Sequence, residues 1–340
     1  MLKILTIGGA TQDIAFQTKE GVLVHNQKDI TRLQLLSFEL GAKLNIKEAN
    51  FSFGGGAANS AVNLSNLGNS VNALICVGAD SIGQEIIKNL KQHKVKTNLT
   101  QIVDENSGLS FIVNAKNLAN EHVLFTYRGA NEAINVDLDS LTRNYKFDLI
   151  YLTSLSGSNS KNNLNKVFRY KNKYEQTKIV WNPGNEQIKS GLNGLKTYLK
   201  LTSILIINKD EAIEVCFADK KQETINNKQI DINERRANPR ILLKKLSKYC
   251  PGIVVITDGE NGAYCFQNNK IYYEPGLKIR VKDTTGVGDA FGSTFSWAIN
   301  YTCGDIQKSL QLAIKNAGAV LEQVGAQQGL LSKTKLCSGI

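Results

Sequence analysis

Apolar residues occur along this chain in short bursts, separated by longer stretches in which they recur at helical spacing. Leu2 to Ile7 reads as a buried strand that stops at Gly8-Gly9. Ala57 to Leu67 places Ala61, Leu64 and Leu67 on one face of a helix, and Gly54-Gly55-Gly56 opens it. Val71 to Val77 predicts the next strand, and further strands are predicted at Leu149–Leu152, Ile179–Trp181, Ile204–Ile207 and Ile253–Thr257. Each is followed by a polar or glycine-bearing segment. Strands alternating with helical patterns imply an α/β fold, a parallel sheet with crossover helices. Ligands of such sheets bind outside the carboxyl ends of the strands, where those polar segments lie.

Two stretches break the alternation. Residues 14–24 (IAFQTKEGVLV) and 108–128 (GLSFIVNAKNLANEHVLFTYR) predict β-ribbons with turns at Lys19–Gly21 and Asn117–Asn120. They are expected to form a small β lid over the active side, with edge strands of the main sheet as the alternative. The lid segments then span about 14–50 and 105–130 of a single domain, 1–340. Residues 217–240 are the most polar segment and contain Pro239, which predicts a surface loop or a solvated helix start.

Composition narrows the function. With 340 residues, 42% of them hydrophobic, the chain can bury a sizeable core. The net charge of +11 comes from scattered lysines without an aromatic-interleaved basic stripe, so no nucleic-acid partner is expected. Cys76, Cys216, Cys250, Cys265, Cys303 and Cys337 are widely spaced and form no CxxC or Cys/His metal pattern. They imply reduced thiols and a cytoplasmic protein. The N-terminal apolar run breaks too early for a signal peptide, and no stretch approaches the roughly 20 apolar residues of a membrane span. A soluble protein without a membrane partner is expected.

The chemistry concentrates in DTTGVGDAFGSTF, Asp283 to Phe295. Gly286, Val287, Gly288 and Asp289 precede an apolar helical stretch, Ala290 to Ile299, so their backbone N–H groups would point out of a helix N-terminus as an anion hole. Such donors stabilise the charge on a transferring phosphoryl group. A carboxylate there, Asp289, can take the proton of an attacking hydroxyl or simply cap the helix. In FGGGAANSAVNLSNLG, 53–68, the glycines allow close ligand approach and Asn59 offers an amide donor and acceptor. In LIINKDEAIEV, 205–215, Asn208 and Glu211 suit either a hydrated magnesium ion with a phosphate or a helix cap. In VVITDGENGAYCF, Thr257, Gly259 and Gly262 suit either a nucleotide phosphate turn or a hairpin. No GxxxxGK[ST] occurs, which excludes a P-loop enzyme, and Gly286, Gly288 and Gly292 miss the dinucleotide-binding spacing.

Taken in order, these motifs resemble the ribokinase-like (PfkB-type) carbohydrate kinase family, from Gly8 to about Gly329. The most specific parts are GGGAANSAVNLSNLG with VGADSIGQEI, and DTTGVGDAFGSTF. The resemblance implies a three-layer α/β/α sandwich with a mostly parallel sheet and a β lid. It implies ATP as phosphate donor, with Mg2+, and a hydroxyl of a sugar or nucleoside as acceptor. By the same resemblance, Asp13, Gly55, Gly56 and Asn59 bind the acceptor, and Asn208 and Glu211 work around magnesium and phosphate. Thr257, Gly259 and Gly262 match the nucleotide turn, and Ala317, Gly325 and Ala326 the adenine side. Val287 stands where the family has alanine, a small departure because backbone amides make the hole. Asp283 and Thr285 fall where members hold a monovalent cation such as K+, and lids in the family pair into dimers. Arg128 is either a partner for a substrate carboxylate or phosphate or an exposed surface arginine, and Asn131 and Asn182 are candidates for lining the cleft. Phe16 and Phe125, as lid residues, would either stack on a base or pack on the body. A sugar kinase is expected, with a nucleoside kinase and a catalytically silent sugar-binding protein as alternatives.

Overall fold

In the structure, a computed structural model describing residues 1–18, 20–25, 34–46, 48–115, 123–138, 146–217 and 238–338, the apolar runs assemble as alternating strands and helices. The first half of the chain forms β1 (Lys3–Ile7), β2 (Thr11–Thr18), β3 (Val22–His25), β4 (Gln34–Ser37), β5 (Glu48–Gly54), α1 (Gly56–Asn66), β6 (Ser70–Leu74), β7 (Cys76–Gly78), α2 (Ser81–Gln92), β8 (Gln101–Val103), β9 (Gly108–Ala115) and β10 (Val123–Tyr127). The second half continues with β11 (Leu149–Leu152), α3 (Ser160–Lys173), β12 (Lys178–Trp181), α4 (Asn185–Ile188), α5 (Gly191–Leu199), β13 (Ile204–Asn208), α6 (Lys209–Phe217), α7 (Pro239–Leu246), β14 (Ile253–Thr257), β15 (Ala263–Gln267) and β16 (Lys270–Glu274). Three helices close it: α8 (Val287–Tyr301), α9 (Ile306–Leu321) and α10 (Lys333–Cys337).

The main sheet runs in the order β16-β15-β14-β13-β12-β11-β1-β6, parallel from β14 to β6 with an antiparallel edge at β15 and β16. Its central strands are apolar on both faces because both are covered. Ile4, Val71, Leu149, Ile204 and Val255 join the core beneath α1, α8 and α9, while Leu5, Ile150, Ile179, Leu205 and Val254 join the core beneath α3, α5, α6 and α7. That is the expected three-layer sandwich. The expected strand Val71–Val77 instead divides at Ile75. Beside it, β1 ends at Ile7, so beyond Leu74 the chain has lost its neighbour and pairs as β7 with β8.

A separate four-stranded sheet, ordered β10-β9-β2-β5, makes the lid, so the lid strands are not edges of the main sheet. The segment 108–128 does pair as an antiparallel ribbon of β9 and β10. The segment 14–24 does not: β2 pairs with β5 and β9, and β3 pairs with β4. The expected turn Asn117–Asn120, Lys19 of the first turn, and 218–237 of the polar segment lie outside the described residues. Pro239 starts α7, in the first helical position where its missing N–H costs nothing, with Asn238 as cap.

Strand alternation gives the lid two unlike faces. Thr11, Asp13, Ser110, Ile112, Leu124 and Thr126 face a cleft shared with the body. The opposite face carries Phe125, Phe111, Ile14 and Phe51 in one cross-strand row. Phe16 belongs to this outer parity too, so neither it nor Phe125 is placed to stack on a ligand in the cleft, and neither packs on the body face. Their sequence positions differ from that of Asp13 on β2, or from that of Thr126 on β10, by an odd number, which assigns them to the other side.

Candidate active site

The cleft, about 390 Å³, lies between the lid and the carboxyl ends of β1, β11 and β12. It is lined by Gly55, Gly56, Asn59, Arg128, Asn131, Asn182, Glu211, Thr285, Gly286 and Asp289 together with the lid residues above. Ten of the residues singled out in the sequence as catalytic, substrate-binding or metal-holding, Asp13 included, therefore share one space, although more than 270 positions separate Asp13 from Asp289.

Its floor is the start of α8. Gly286 is the N-cap, in the left-handed conformation at φ 75°, and a Cβ there would lie 2.4 Å from Cβ of Ala326. Only glycine fits that backbone and that contact. The first turn of a helix has no intrahelical acceptors for its N–H groups, and this cap supplies no side-chain acceptor either. Val287 turns its side chain to the core, so its bulk stays out of the turn. Gly288 is exposed, with nothing within 4 Å of the position a Cβ would take.

Asp289 follows in this turn. Burial pushes its carboxyl above the usual carboxylate range, opposed by a hydrogen bond from Asn59 Nδ2 to its Oδ2 at 2.8 Å. Asn59 is therefore turned toward the acid. It is delivered there by α1, whose entry at Gly55, φ 90°, packs onto Gly9, where a Cβ would come within 2.5 Å of the carbonyl oxygen. Asp13, across the cleft on β2, is raised to about 6, chiefly by burial, while the hydroxyls of Thr11 and Ser110 pull it back and the charges of Asp289 and Asp283 add to the rise. Thr11 Oγ1 donates to Asp13 Oδ1 at 2.8 Å.

Asn131 also lines the cleft, but its amide is already engaged. Its Oδ1 accepts from Ala10 N at 2.9 Å, and its Nδ2 donates to the carbonyls of Ala10 and Arg128. It pins the β1–β2 turn. Asn182 donates to the Ile206 carbonyl at 2.9 Å.

Asn208 and Glu211 form a reciprocal capping box: Glu211 N donates to Asn208 Oδ1 at 2.8 Å and Asn208 N to Glu211 Oε2 at 2.9 Å. The cap does not remove Glu211 from the cleft, where burial pushes its carboxyl up and Asp210, Glu214 and Asp289 push it further. A region so crowded with carboxyls suits a cation. Among the described residues no group of three His, Cys, Asp or Glu side chains converges on one point. Glu211 is the carboxyl in the cleft lining that could steady a magnesium ion carried on phosphates.

The nucleotide candidates lie along the adjoining sheet edge, outside the cleft lining. Asn208 and Thr257 are paired neighbours on β13 and β14. Gly259 and Gly262 shape a turn that joins antiparallel β14 and β15, a hairpin in its geometry. Lys209 Nζ contacts Asp258 Oδ1 at 2.5 Å and ties this turn to α6. Ala317 is buried in the core, and Ala326 lies behind Gly286. Asp283 accepts from Thr285 N at 2.9 Å, Thr285 Oγ1 at 2.7 Å and Gly325 N at 2.9 Å, so it fastens the 323–329 loop to the turn before α8. Ser110, Thr11 and Gln327 were not singled out from the sequence. Ser110 reaches Asp13 through pairing of β2 with β9, Thr11 lies two residues before it on β2, and Gln327 sits in a loop without periodicity.

Comparison with known proteins bears on the family and the fold. The pfkB family carbohydrate kinase model matches residues 29–333. A ribokinase of Dictyostelium discoideum is 26% identical over 282 residues, covering 81% of this chain and 86% of its own. Ribokinase from Cryptococcus neoformans in complex with ADP superimposes with a TM-score of 0.76 at 21% identity, covering all of both chains. The Burkholderia thailandensis nucleoside kinase in complex with inosine gives 0.75 at 16% identity, covering 98% of this chain and 96% of its own. A family match spanning most of the chain, over a fold of the same architecture, makes this protein a member of the pfkB carbohydrate kinase family, a phosphotransferase with an alcohol group as acceptor.

Proposed function

We propose that the protein transfers the γ-phosphoryl group of ATP to a hydroxyl of a small, ribose- or fructose-like sugar, with Asp289 as general base and the first turn of α8 as anion hole. The observation that carries this is the placement of a desolvated carboxyl, Asp289, within the opening turn of a helix at the floor of a cleft faced by Asp13. Asp13 would hold acceptor hydroxyls against Asp289, and the N–H groups of Gly286 to Asp289 would meet the charge that develops on the phosphoryl oxygens. Magnesium, when bound, neutralises phosphate charge, and Glu211 would hold its water. The lid would exclude water from the transfer. Asn208, Thr257, Gly259 and Gly262 would take the nucleotide along the sheet edge, with Gly325 and Ala317 toward the base. Arg128, which lines the cleft, would favour an acceptor bearing a carboxylate or phosphate. Cytoplasmic ATP fits an enzyme in which no described helix is long and apolar enough to cross a membrane.

A nucleoside acceptor is the second reading, supported by the fold shared with an inosine-bound kinase. The outward position of Phe16 and Phe125 removes the stacking residues it would have used.

The test is ATP consumption by the purified protein with magnesium, against ribose, fructose, other hexoses, sugar acids and nucleosides, with K+ exchanged for Na+ in a parallel series. Activation by one sugar is expected. Activation by a nucleoside alone would move the assignment to the second reading, and no activation by any acceptor would leave a sugar-binding protein. Asp289→Asn is expected to keep fold and ATP binding while turnover drops by orders of magnitude.

A further inference from the structure

Four side chains from four parts of the chain form one polarised line ending on Asp289. Asn89 of α2 donates through Nδ2 to Gln327 Oε1 at 2.8 Å. Gln327 donates through Nε2 to Asn59 Oδ1 at 3.1 Å, and Asn59 donates through Nδ2 to Asp289 Oδ2 at 2.8 Å. An ionised carboxylate can only accept, whereas each amide has one donating and one accepting end. The sense of the last bond therefore fixes the sense of all three. Asn59 is 4% exposed and Gln327 9%, so an amide turned the wrong way would set acceptor against acceptor largely out of reach of bulk solvent. The loop of Gln327 is fastened on both sides, by Gly325 N on Asp283 and by Leu331 N on Asn316 Oδ1, and its Ala326 abuts the N-cap of α8.

We infer that Gln327, backed by Asn89, is a positioning residue for the base: it locks the Asn59 amide so that Nδ2 stays on Oδ2 of Asp289 and Oδ1 receives the acceptor's proton. The inference rests on the proposed role of Asp289. In the transfer the proton of the acceptor O–H passes to Oδ1, and the oxygen's electron pair forms the new P–O bond. The bond from phosphorus to the β–γ bridging oxygen breaks, and its pair leaves on ADP. Without the lock, Asn59 can turn its own oxygen to the carboxylate, which penalises the ionised form that catalysis needs. Asp13 from the lid, Glu211 from α6 and Tyr151 from β11 are the titratable groups whose charges interact with Asp289, and Arg128 lines the same cleft. All four are unaltered in the variants below.

The line can be reversed from its far end. Asn89→Asp replaces the terminal donor with an acceptor, so Gln327 must present Nε2 to it and Oε1 to Asn59, and Asn59 then presents Oδ1 to Asp289. Gln327→Glu forces the same turn of Asn59 from the middle. In both variants the acid limb of the kcat/KM profile is expected to move up by about one pH unit, a roughly tenfold loss below the limb that is recovered at higher pH. Gln92→Glu adds the same charge on the exposed part of α2 without touching the line, and its limb should stay at the wild-type pH. Asp289→Asn is assayed alongside. If it still turns over, the role of the base is what fails. If it is dead and both reversing variants keep the wild-type limb, or if Gln92→Glu moves it as far as they do, the positioning inference is overturned.

Discussion

At the scale of single residues, the cleft gathers carboxyls whose burial is unfavourable to their charged forms. Asp13 is the clearest, 3% exposed and raised to about 6. A carboxyl whose folded pKa lies above its unfolded value binds its proton more tightly when folded. Its contribution to stability is therefore full below the unfolded value of 3.8 and is lost as pH rises through about 6. Asp13→Asn removes that loss. The variant should be more stable than wild type at pH 8, by no more than about 3 kcal/mol, with the gain vanishing near pH 4. Denaturant melts at the two pH values check this, and an equal difference at both would show that Asp13 is not held in its raised state. The same substitution should cost acceptor binding, the usual trade of stability for a functional site. Asp289 was legible in the sequence because it follows a glycine turn at a helix start, and Asp13 through the resemblance to the family. The hydroxyls that tune Asp13 were not, because Ser110 reaches it only through pairing between β2 and β9.

At the scale of elements, the opening turn of α8 has two glycines with different reasons to be there. Gly286 is required by the fold, since its φ of 75° and its contact with Ala326 admit no side chain. Gly288 has room around it and no such conformation, so a fold-based reason is missing and a ligand-based one remains. Gly286→Ala should destabilise the protein by about 2 kcal/mol or more, from left-handed strain plus the clash. Gly288→Ala should leave stability within about 1 kcal/mol of wild type while turnover falls at least tenfold, because its methyl would stand where the phosphoryl group approaches. Thermal melts and steady-state rates separate the two, and full turnover by Gly288→Ala would mean that no anion docks on this turn. Elements of this kind were readable because α1 and α8 announce themselves by glycine followed by helical apolar spacing. The break at Ile75 and the partners of β2 were not readable, since both depend on where a distant strand ends. The outward side of Phe16 and Phe125 was not read from the sequence, although it follows from strand alternation once Asp13 and Thr126 are known to face the cleft.

At the scale of the whole molecule, the two sheets are treated unlike one another. The main sheet has helices on both faces, whereas the lid has the cleft on one face and, on the other, a row of largely exposed aromatic rings. Its outer row of Phe125, Phe111, Ile14 and Phe51 leaves three phenyl rings at 57%, 38% and 67% exposure, in one contiguous band. Single exposed apolar residues are ordinary, but an aligned aromatic band on a small sheet is a surface to be covered. A second copy of the lid would match it, ring against ring about a two-fold axis, as in the lid dimer expected from the sequence. The protein should then be a dimer at micromolar concentration. Phe51→Glu combined with Phe111→Glu should render it monomeric, each ring forfeiting about 2 kcal/mol of burial and each charge opposing its symmetry mate. Light scattering reads this directly. Leu124→Ser, on the inner face, is the control that should remain dimeric while acceptor binding weakens. A wild-type protein that stays monomeric at high micromolar concentration would show that the band has another purpose.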